Sequence, residues 1–506
     1  MTSLWLDGRP PAQTDVFEVG ARYDAVVVGA GLTGMVTALL LARSGMRVAV
    51  LEARSLGAVT TGNTTAKLSL LQGTVLSTMR RAVSARVLRA YVEGNREGQG
   101  WLLRYLAEHE VPVQRRDAFT YATTAEGAER VARELAACRV AGLDVVETAD
   151  TGLPYPTSAA LRLADQAQFD PLDVLQALAR DLRSRGGVLV DGTRVQGVRR
   201  GSPAVLATSR GEVAAERVVL ATGTPVLDRG LYFAKLAPSR SYALAFQVPG
   251  TIPAGMYLSA DVPGRSLRTA PVDGAELLLV GGNGHAVGRN PSTRRAVDDL
   301  VAWTGRWFPG AELTHRWSAQ DYRSLVGVPF VGRLPRGGGQ IFLATGYDKW
   351  GMTNAVSAAL MLSAEILGGH LPWARTLHHR VTKPAALATG VRFNAGVAGT
   401  LVRDWLRVES GGSAPAGRPP EGQGVVHRRG LRPVGVSTVD GRTCEVSAVC
   451  THLGAVLGWN DAERTWDCPL HGSRFGADGT LLEGPAVRDL RPADPQGAAR
   501  EPAPGM

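Results

Sequence analysis

The sequence predicts an α/β protein that carries a second, antiparallel sheet and ends in a small all-β domain. Residues 23–53 have the pattern of a strand, a tight glycine turn, a helix and a second strand. Apolar strands and amphipathic helices then alternate as far as Gly369, which indicates a layered α/β domain with its antiparallel strands in a separate sheet. After a linker rich in glycine and proline, short strands alternate with Gly- or Pro-bearing turns, as in a small all-β module.

The same patterns predict where the elements and domains begin and end. Within the first unit we expect a strand at 25–28, a helix at 32–44 and a strand at 47–51. Further helices are expected at 86–109, 125–141, 171–185 and 355–367, and further strands at 187–190, 217–220, 276–280 and 340–343. The predicted domains are a large first domain at 1–408 with its core at about 24–370, a linker at 409–423, the all-β domain at 424–490 and a flexible tail at 491–506.

Composition excludes several classes of protein. The 506 residues are 44% hydrophobic and 20% charged, as expected for a globular chain and not for a disordered or fibrous one. The net charge of +10 includes no basic run with interleaved aromatic residues, so we expect no nucleic-acid partner. The uncharged stretch 25–42 is the strand, turn and helix described above, so we expect no membrane span. Four cysteines and the absence of an export leader favour the cytoplasm.

A glycine-rich turn at residues 29–34 is the first candidate binding site. Its sequence fits G-x-G-x-x-G, it follows an apolar strand and opens a helix, and the next strand ends in Glu52. Gly29 permits the tight turn, Gly31 lets the backbone approach a pyrophosphate, and Gly34 allows close packing of helix and strand. The helix N-terminus offers free N–H groups to phosphates, and Glu52 can accept a hydrogen bond from a ribose hydroxyl. The alternative is a glycine-rich turn that binds nothing.

Two later segments favour a flavin dinucleotide over a nicotinamide one. An apolar strand closes on Ala-Thr-Gly at 219–223, and the segment 344–354 leads into a helix. Amide groups at the start of that helix would stabilise negative charge on a reduced flavin. A second glycine string, 282–285, lacks the following helix and acid, and we interpret it as a β-turn.

Together these motifs resemble the glycine/D-amino-acid-oxidase-like family of FAD oxidoreductases. The resemblance rests on the fingerprint, the Ala-Thr-Gly strand and the segments 61–67, 168–172 and 346–353, and it covers about residues 24–370. It implies a Rossmann-type FAD domain interleaved with an antiparallel-sheet substrate domain. It also implies oxidation of a C–N bond of an amine or amino acid by hydride transfer to flavin N5. By this resemblance FAD contacts Gly29, Gly31, Gly34, Glu52, Thr64, Thr65, Val195, Ala221, Gly223, Gly346, Gly351 and Met352.

Departures from the family pattern refine these expectations. Some relatives attach flavin covalently through a His or Cys, but neither residue type follows Lys67 here, so we expect non-covalent FAD. The segment 321–327 lacks the second acid often present in similar sequences, which weakens any substrate role carried over to it. The catalytic candidates are Lys349, Tyr242 and Tyr347. Lys349 is included because a lysine at the flavin could orient a carboxylate or assist dioxygen. The alternative to a catalytic role is that Lys349 is an ordinary surface lysine and that the two tyrosines pack in the core.

Two Cys–His pairs near the C-terminus form the strongest motif in the chain. Cys450 and His452 are separated by fifteen residues from Cys468 and His471. Two thiolates and two imidazoles suit a Rieske [2Fe–2S] cluster, in which one iron is held by the cysteines and the other by the histidines. A tetrahedral zinc site is the alternative, although Cys-x-His is poor zinc-finger spacing.

The segment 424–490 resembles Rieske domains, with differences that bear on the cluster potential. Ala455 and Leu470 stand where high-potential members have a disulfide, and Phe475 replaces a tyrosine. Ser473 matches a serine that hydrogen-bonds a cluster sulfur. Fewer hydrogen bonds to sulfur lower the potential, so we expect the lower or middle part of the Rieske range of about −150 to +300 mV. Of the remaining cysteines, Cys138 is expected to be a buried thiol, and Cys444 is assigned no role.

The combined motifs predict a flavin enzyme that also transfers single electrons. We expect an amine or amino-acid-like substrate to reduce FAD, and the cluster to exchange electrons singly with an external acceptor or donor. Two alternatives are a dioxygen-using oxidase with a structural cluster, and an electron carrier or redox sensor without an amine substrate. A Rieske oxygenase is excluded, because the chain after His471 contains no histidine to hold a mononuclear iron.

Overall fold

The structure is a computed structural model that describes residues 1–380, 418–430 and 432–493 and the single positions 394, 396, 399, 403 and 405. The first nine residues of the predicted linker and the predicted tail beyond residue 493 lie outside the described residues. The described residues form two compact units. The first contains those of 1–286 and 293–395, and the second contains those from 396 onward together with the short segment Val287–Ser292.

The first unit contains seventeen strands and eight α-helices among its described residues. The strands are β1 (Arg22–Val28), β2 (Val48–Leu51), β3 (Lys67–Leu68), β4 (Gln114–Ala122), β5 (Val146–Glu147), β6 (Ala159–Gln168), β7 (Val188–Val190), β8 (Val195–Arg199), β9 (Ala204–Thr208), β10 (Gly211–Leu220), β11 (Leu236–Gln247), β12 (Met256–Ser259), β13 (Arg265–Val272), β14 (Ala275–Ala286), β15 (Glu312–Ser324), β16 (Phe330–Arg333) and β17 (Ile341–Thr345). The helices are α1 (Leu32–Arg43), α2 (Val75–Ala82), α3 (Ala85–Glu108), α4 (Ala125–Ala141), α5 (Pro171–Ser184), α6 (Thr293–Trp307), α7 (Gly351–Leu367) and α8 (Pro372–His378).

One sheet of this unit has a parallel core. Its strands run in the order β16-β17-β10-β1-β2-β7, and the β8–β9 hairpin adds to β10. β1 pairs in parallel with both β10 and β2. Strands covered on both faces are apolar throughout, and Val26, Val27 and Val50 are fully buried. The predicted strand–turn–helix–strand unit at 23–53 is confirmed.

The helices predicted from apolar periodicity are confirmed with small shifts at their ends. α5 begins as expected because Asp170 accepts a hydrogen bond from the N–H of Leu172 at 2.8 Å and Pro171 occupies the first turn. α7 begins at Gly351, four residues before the predicted start. The sequence Gly-Met-Thr-Asn lacks the apolar spacing that marks a helix, and the Asn354 side chain donates to the Trp350 carbonyl oxygen at 3.0 Å across this first turn.

The second sheet is antiparallel in most of its pairs, as expected. Its order is β15-β11-β14-β13-β12-β4-β6-β3, with β5 added to β6. One face packs against helices of the first unit, since Ala243, Leu279 and Trp317 share a buried cluster with residues of α1, α5 and α7. α6 packs on the opposite face, where a Cβ at Gly282 would lie 3.1 Å from the Leu300 side chain.

The interpretation of residues 282–285 as a β-turn was wrong. They lie inside β14, which pairs with β13 as far as Gly282 and with β11 as far as Ala286. A β-bulge explains the misleading sequence, because the β11–β14 register shifts here and Asn283 has a φ of +52°. The glycines therefore serve an irregular strand and not a chain reversal.

The second unit contains two small sheets, as predicted for an all-β domain. Its strands are β18 (Gly424–Arg429), β19 (Arg432–Val439), β20 (Arg442–Ser447), β21 (Gly458–Asn460), β22 (Thr465–Asp467), β23 (Arg474–Gly476) and β24 (Leu481–Glu483). β18, β19 and β20 form one antiparallel sheet, and β21 to β24 form the other. Trp466 and Phe475 are fully buried in the core of this unit.

Among the described helices, no single one is both long and apolar enough to cross a membrane. Only α7 and α8 taken together reach that length, and they are bent by 95° at their junction. Cys138 is buried in α4, which confirms its assignment as a plain buried thiol, and Cys444 is half-buried on β20.

Candidate functional site

The glycine turn after β1 is packed too tightly for side chains. Gly29 has a φ of +106°, and a Cβ there would lie 2.6 Å from the carbonyl oxygen of Ala221 at the end of β10. A Cβ on Gly34 would overlap the carbonyl oxygen of Gly29, so α1 starts in direct contact with the turn. The helix N-terminus and the end of β10 therefore meet at one place, as a dinucleotide pyrophosphate requires.

Glu52 lies at the end of β2 beside this turn. Its carboxylate accepts hydrogen bonds from the backbone N–H groups of Ala30 at 2.8 Å and Arg54 at 2.9 Å. Burial raises the pKa of Glu52. The backbone carbonyl of Glu52 accepts from the Thr193 N–H at 2.8 Å, which brings the start of β8, with Val195, to the same region. The structure thus brings together the turn, the acid and Val195.

The predicted flavin-contacting threonines lie in a turn just before β3. Thr64 Oγ1 accepts from the N–H of Ala66 at 3.1 Å, and Ala66 adopts a φ of +49°. The turn is held by Arg268 of β13, whose guanidinium donates to the carbonyl oxygen of Thr65 at 2.7 Å and to that of Ala66 at 3.0 Å. A buried arginine therefore positions Thr64 and Thr65 beneath the start of α1, where Thr61 Oγ1 accepts from the Leu32 N–H at 3.2 Å.

The segment 346–352 closes the pocket from the other side. Thr345 Oγ1 donates to the carbonyl oxygen of Gly223, which joins this segment to the Ala-Thr-Gly strand end. The hydroxyls of Tyr347 and Thr33 lie 2.9 Å apart and link the starts of α7 and α1. Gly346, Gly351 and Met352 are thereby placed with Ala221 and Gly223, as the resemblance implies.

A buried polar network holds the first turn of α7. The Tyr91 hydroxyl donates to Gln72 Oε1 at 2.7 Å and accepts from Asn354 Nδ2 at 2.9 Å. Gln72 Nε2 in turn donates to Thr353 Oγ1 at 3.1 Å. These bonds fix the first turn of α7, whose N-terminal amide groups the sequence assigns to the flavin.

Lys349 lies in a part of this pocket that contains both positively and negatively charged side chains. Its ammonium group is near Gly284 of β14, and the residue keeps access to solvent. Burial among protein atoms lowers the pKa of Lys349, the carboxylates of Asp348 and Asp321 oppose that shift, and the guanidinium of Arg323 adds to it. Asp321 accepts a hydrogen bond from the Lys349 N–H, and burial raises the pKa of Asp321 to about 6. The sequence analysis gave the segment 321–327 only a weakened substrate role, whereas the structure places Asp321 beside Lys349.

Tyr242 lies away from the other two catalytic candidates. Cross-strand partners share a sheet face, and Tyr242 pairs directly with Gly282, which in turn pairs with Arg265. Arg265 points to α6, where it forms an ion pair with Asp299 at 2.6 Å. Tyr242 therefore faces the α6 side of the sheet, stacked on His285, and the structure does not bring it together with Lys349 and Tyr347. Side chains alternate between the two faces of the sheet along β11, and this alternation places Tyr242 on the α6 side. The Arg-Ser-Tyr sequence alone does not reveal which face Tyr242 occupies.

The four predicted cluster ligands lie on two matching loops of the second unit. The N–H of Gly454 donates to the Cys450 carbonyl oxygen at 3.1 Å, and that of Gly472 donates to Cys468 at 3.2 Å. The ring centroids of His452 and His471 are 5.2 Å apart with their planes at 82°. Both cysteines are buried and neither forms a disulfide. The loops thus bring together all four residues.

The chemistry of these loops fits a binuclear cluster. A hydrogen bond with Cys468, together with hydrogen bonds from the His452 backbone and from Ser473, lowers the pKa of Cys450, which favours a thiolate at this position. Ser473 Oγ also accepts from the Ala486 N–H at 3.0 Å, which fixes the serine hydroxyl beside the sulfur. In the described part of the chain, no three His, Cys, Asp or Glu side chains converge on a single metal position. Paired ligands suit two irons better than one tetrahedral zinc.

The short segment 287–292 packs against the second cluster loop. Arg289 Nε donates to the carbonyl oxygen of Pro469 at 3.1 Å, and Pro469 directly follows Cys468. Gly288 has a φ of +66°, and a Cβ there would lie 2.8 Å from the Pro469 nitrogen. Ser292 Oγ donates to Asp461 at 3.0 Å. Sequence reasoning missed these hydrogen bonds, because their partners lie 169 to 180 residues apart along the chain.

Arg289→Gln is expected to lower the reduction potential of the cluster. A guanidinium hydrogen-bonded to the ligand loop favours the more negative, reduced cluster, so its removal favours the oxidised form. An EPR-monitored potentiometric titration measures this shift. Arg442→Gln removes the same charge from an exposed position on β20 and is the control, for which we expect no change. Equal potentials for Arg289→Gln and the unmodified protein would contradict the expectation.

Comparisons with known proteins agree with both sites. Residues 24–365 match the family described as FAD dependent oxidoreductase (DAO), and residues 417–493 match the Rieske [2Fe-2S] domain. A Bacillus subtilis (strain 168) relative, YhfW, whose name describes a Rieske 2Fe-2S iron-sulfur protein, is 30% identical over 97% of this chain and 96% of its own.

Solved structures share the fold of the first unit. Glycine oxidase from Geobacillus kaustophilus matches 70% of this chain and 96% of its own with a TM-score of 0.59 at 20% identity. L-proline dehydrogenase from P. horikoshii matches 75% of this chain and 99% of its own with a TM-score of 0.56 at 17% identity.

A chain that pairs a dinucleotide-binding pocket with two Cys–His loops is a flavin- and iron–sulfur-dependent oxidoreductase. This protein belongs to the DAO family of FAD-dependent oxidoreductases and carries a C-terminal Rieske domain. The first domain binds FAD, and the Rieske domain binds a [2Fe–2S] cluster.

Proposed function

We propose that this enzyme oxidises the C–N bond of an amine or amino-acid-type small molecule and passes the electrons singly through its cluster to an external acceptor. FAD supplies both two-electron oxidation and one-electron transfer, whereas a [2Fe–2S] cluster exchanges one electron at a time. The presence of both groups on one chain is the observation that carries this proposal. A dioxygen-using oxidase has no need of a one-electron group.

The charges of the flavin pocket support an amino-acid-like substrate. Lys349 offers a solvent-accessible amine whose charged form can bind a substrate carboxylate, and the nearby Asp348 and Asp321 favour that charged form. Tyr347, held by Thr33, would line the same pocket. The fold relatives include a glycine oxidase and an L-proline dehydrogenase, whose names both refer to amino acids.

Anaerobic reduction by candidate substrates tests this proposal. Protein is mixed with glycine, L-proline and simple amines without dioxygen, and bleaching of the oxidised-flavin absorption band is followed. We expect at least one compound to bleach the flavin, and an artificial one-electron acceptor to restore it over many turnovers. Stoichiometric hydrogen peroxide in air with no turnover on the acceptor would instead indicate a dioxygen-using oxidase. Flavin that no amine or amino acid reduces would indicate an electron carrier or sensor.

Lys349→Met is expected to weaken the binding of carboxylate-bearing substrates. Loss of a charged hydrogen bond costs about 1.5–3 kcal/mol, which corresponds to a roughly 10- to 150-fold increase in KM with a much smaller effect on kcat. Steady-state kinetics with an amino acid and with the amine lacking its carboxylate measure this difference. Lys235→Met, which removes an exposed lysine outside the pocket, is the matched control. Equal KM increases for both substrates would contradict the assigned role of Lys349.

A further inference from the structure

Lys67 is a buried amine at the edge of the flavin pocket. It is the single charged residue between Arg54 and Arg80 in the sequence, and its position on β3 leaves it only 6% exposed. Its Nζ donates to the hydroxyl of Ser266 on β13. A charged ammonium has three protons to donate, so a single hydroxyl partner is a poor match for the charged form.

The charges around Lys67 also disfavour a proton on it. Burial, followed by the nearby guanidinium of Arg268, lowers the pKa of Lys67 to about 7. No carboxylate takes part in this shift, and the cross-strand partner of Lys67 on β6 is the uncharged Gln168. Burial lowers the pKa of Arg268 only to about 9, and the carboxylates of Asp170 and Glu276 oppose that shift. The guanidinium of Arg268 therefore stays charged. Lys67 therefore lies beside a fixed cation and is largely neutral above pH 7.

The amine faces a patch of small residues on the flavin side of the antiparallel sheet. Ala243 pairs with Gly281, and Gly281 pairs with Ser266, so all three lie in one row on the same face. That face packs toward α1 and α7, and Lys67 reaches it from the turn that carries Thr64 and Thr65. The face that the Lys67 nitrogen reaches therefore carries only small side chains in this row.

We propose that Lys67 is the base that accepts a proton from the ammonium group of the substrate before the C–N bond is oxidised. The proton moves from the substrate nitrogen to the lone pair of Nζ, which gives a neutral substrate amine and an ammonium on Lys67, and no electrons change hands in this step. Ser266 accepts a hydrogen bond from Nζ and so positions it. This inference rests on the proposed oxidation of an amine.

The two pocket lysines differ in exposure and in the carboxylates near them. A guanidinium lies near each lysine, but Lys349 is exposed and also has two carboxylates near it, so it can hold a negative substrate group. Lys67 is buried with no carboxylate to offset the guanidinium, so it can hold a proton only transiently.

The pH dependence of flavin reduction tests the proposal directly. In the unmodified holoenzyme, the reduction rate per substrate concentration should rise with pH through about 7. In Lys67→Met the rise should shift toward the pKa of a free alkylamine, about 10. We expect a loss of about 100-fold or more at pH 7 that shrinks to a few-fold at pH 10. Lys67→Arg, which retains a cation that cannot release its proton, should show the same loss.

Two outcomes of that experiment would overturn the proposal. An unchanged pH profile in both variants would show that Lys67 takes no proton from the substrate. A pH-independent increase in KM would show that it binds an anion instead. FAD content, measured by absorption for every variant, reports whether the pocket is intact, and Lys235→Met is the control for removal of a lysine elsewhere.

A titration that needs no substrate separates failure of this inference from failure of the proposed function. The chain has only four lysines, so NMR of the holoenzyme labelled with [13Cε]lysine resolves few signals. The signal lost in Lys67→Met or Lys67→Arg should titrate near pH 7. A titration near pH 10 would overturn the role of Lys67 whatever the substrate. If Lys67 titrates near 7 but no amine reduces the flavin, the proposed function fails and takes the amine-base role with it.

Discussion

Cys468→Ala is expected to abolish the [2Fe–2S] cluster while the protein keeps its FAD. Cys468 is buried on the loop that also carries His471, and its backbone N–H donates to the Ser473 carbonyl oxygen at 2.8 Å. Alanine preserves that backbone bond but removes one of two thiolates on the same iron, and no other cysteine lies in either ligand loop. The residues predicted to contact FAD all belong to the other unit.

Iron and acid-labile sulfide per chain, EPR after dithionite and the flavin-to-protein ratio measure this result. We expect iron and sulfide to fall at least tenfold, the EPR signal to vanish and the flavin ratio to stay unchanged. Cys444→Ala is the matched control, because this half-buried cysteine on β20 lies outside both loops and should not affect the cluster. A fully occupied cluster in Cys468→Ala would contradict the ligand assignment.

Gly34→Ala is expected to cause a large loss of FAD binding and of stability. The added methyl group would overlap the Gly29 carbonyl oxygen, and neither partner is a flexible side chain that can move aside. Overpacking of this kind costs about 1–3 kcal/mol or more, and relief requires α1 to move away from the turn that would hold the pyrophosphate. We expect the flavin-to-protein ratio to fall at least tenfold and the unfolding temperature to drop.

Gly100→Ala on α3 is the control for a glycine-to-alanine change within a helix. A Cβ there would meet only the Arg104 side-chain end at 3.2 Å, which can rotate away. Alanine should then stabilise α3 by about 0.5–1 kcal/mol. Thermal unfolding and absorption spectra of both variants provide the comparison. Similar FAD content and unfolding temperatures in the two variants would show that Gly34 is not needed for close packing at the turn.

Local sequence patterns were sufficient wherever the chemistry lies within a few residues of chain. The glycine turn and the two Cys–His loops carry their spacing in the sequence, and the structure brings each set together as expected. The predicted helices also appear within a few residues of their expected ends, because apolar periodicity reports which face of each helix is buried.

Contacts between distant strands could not be predicted in the same way. Whether Tyr242 faces the flavin or α6 depends on the alternation of side chains along β11 and on its register with β14. The partners of Lys67 and Arg289 lie 199 and 180 residues away along the chain. One local signal for Lys67 does exist, since a single charge within an otherwise uncharged segment suggests a buried cation.

The most direct test of the whole account is an absorption and EPR study of the anaerobically purified protein, before and after reduction with an identified substrate or with dithionite. Oxidised protein should show flavin absorption together with broader iron–sulfur bands. Reduction should bleach the flavin and produce a rhombic EPR signal whose average g value lies below that of an all-cysteine cluster, as expected for mixed His and Cys ligation. Flavin without this EPR signal, with zinc found by metal analysis, would contradict the electron-transfer account and leave an oxidase with a structural metal domain.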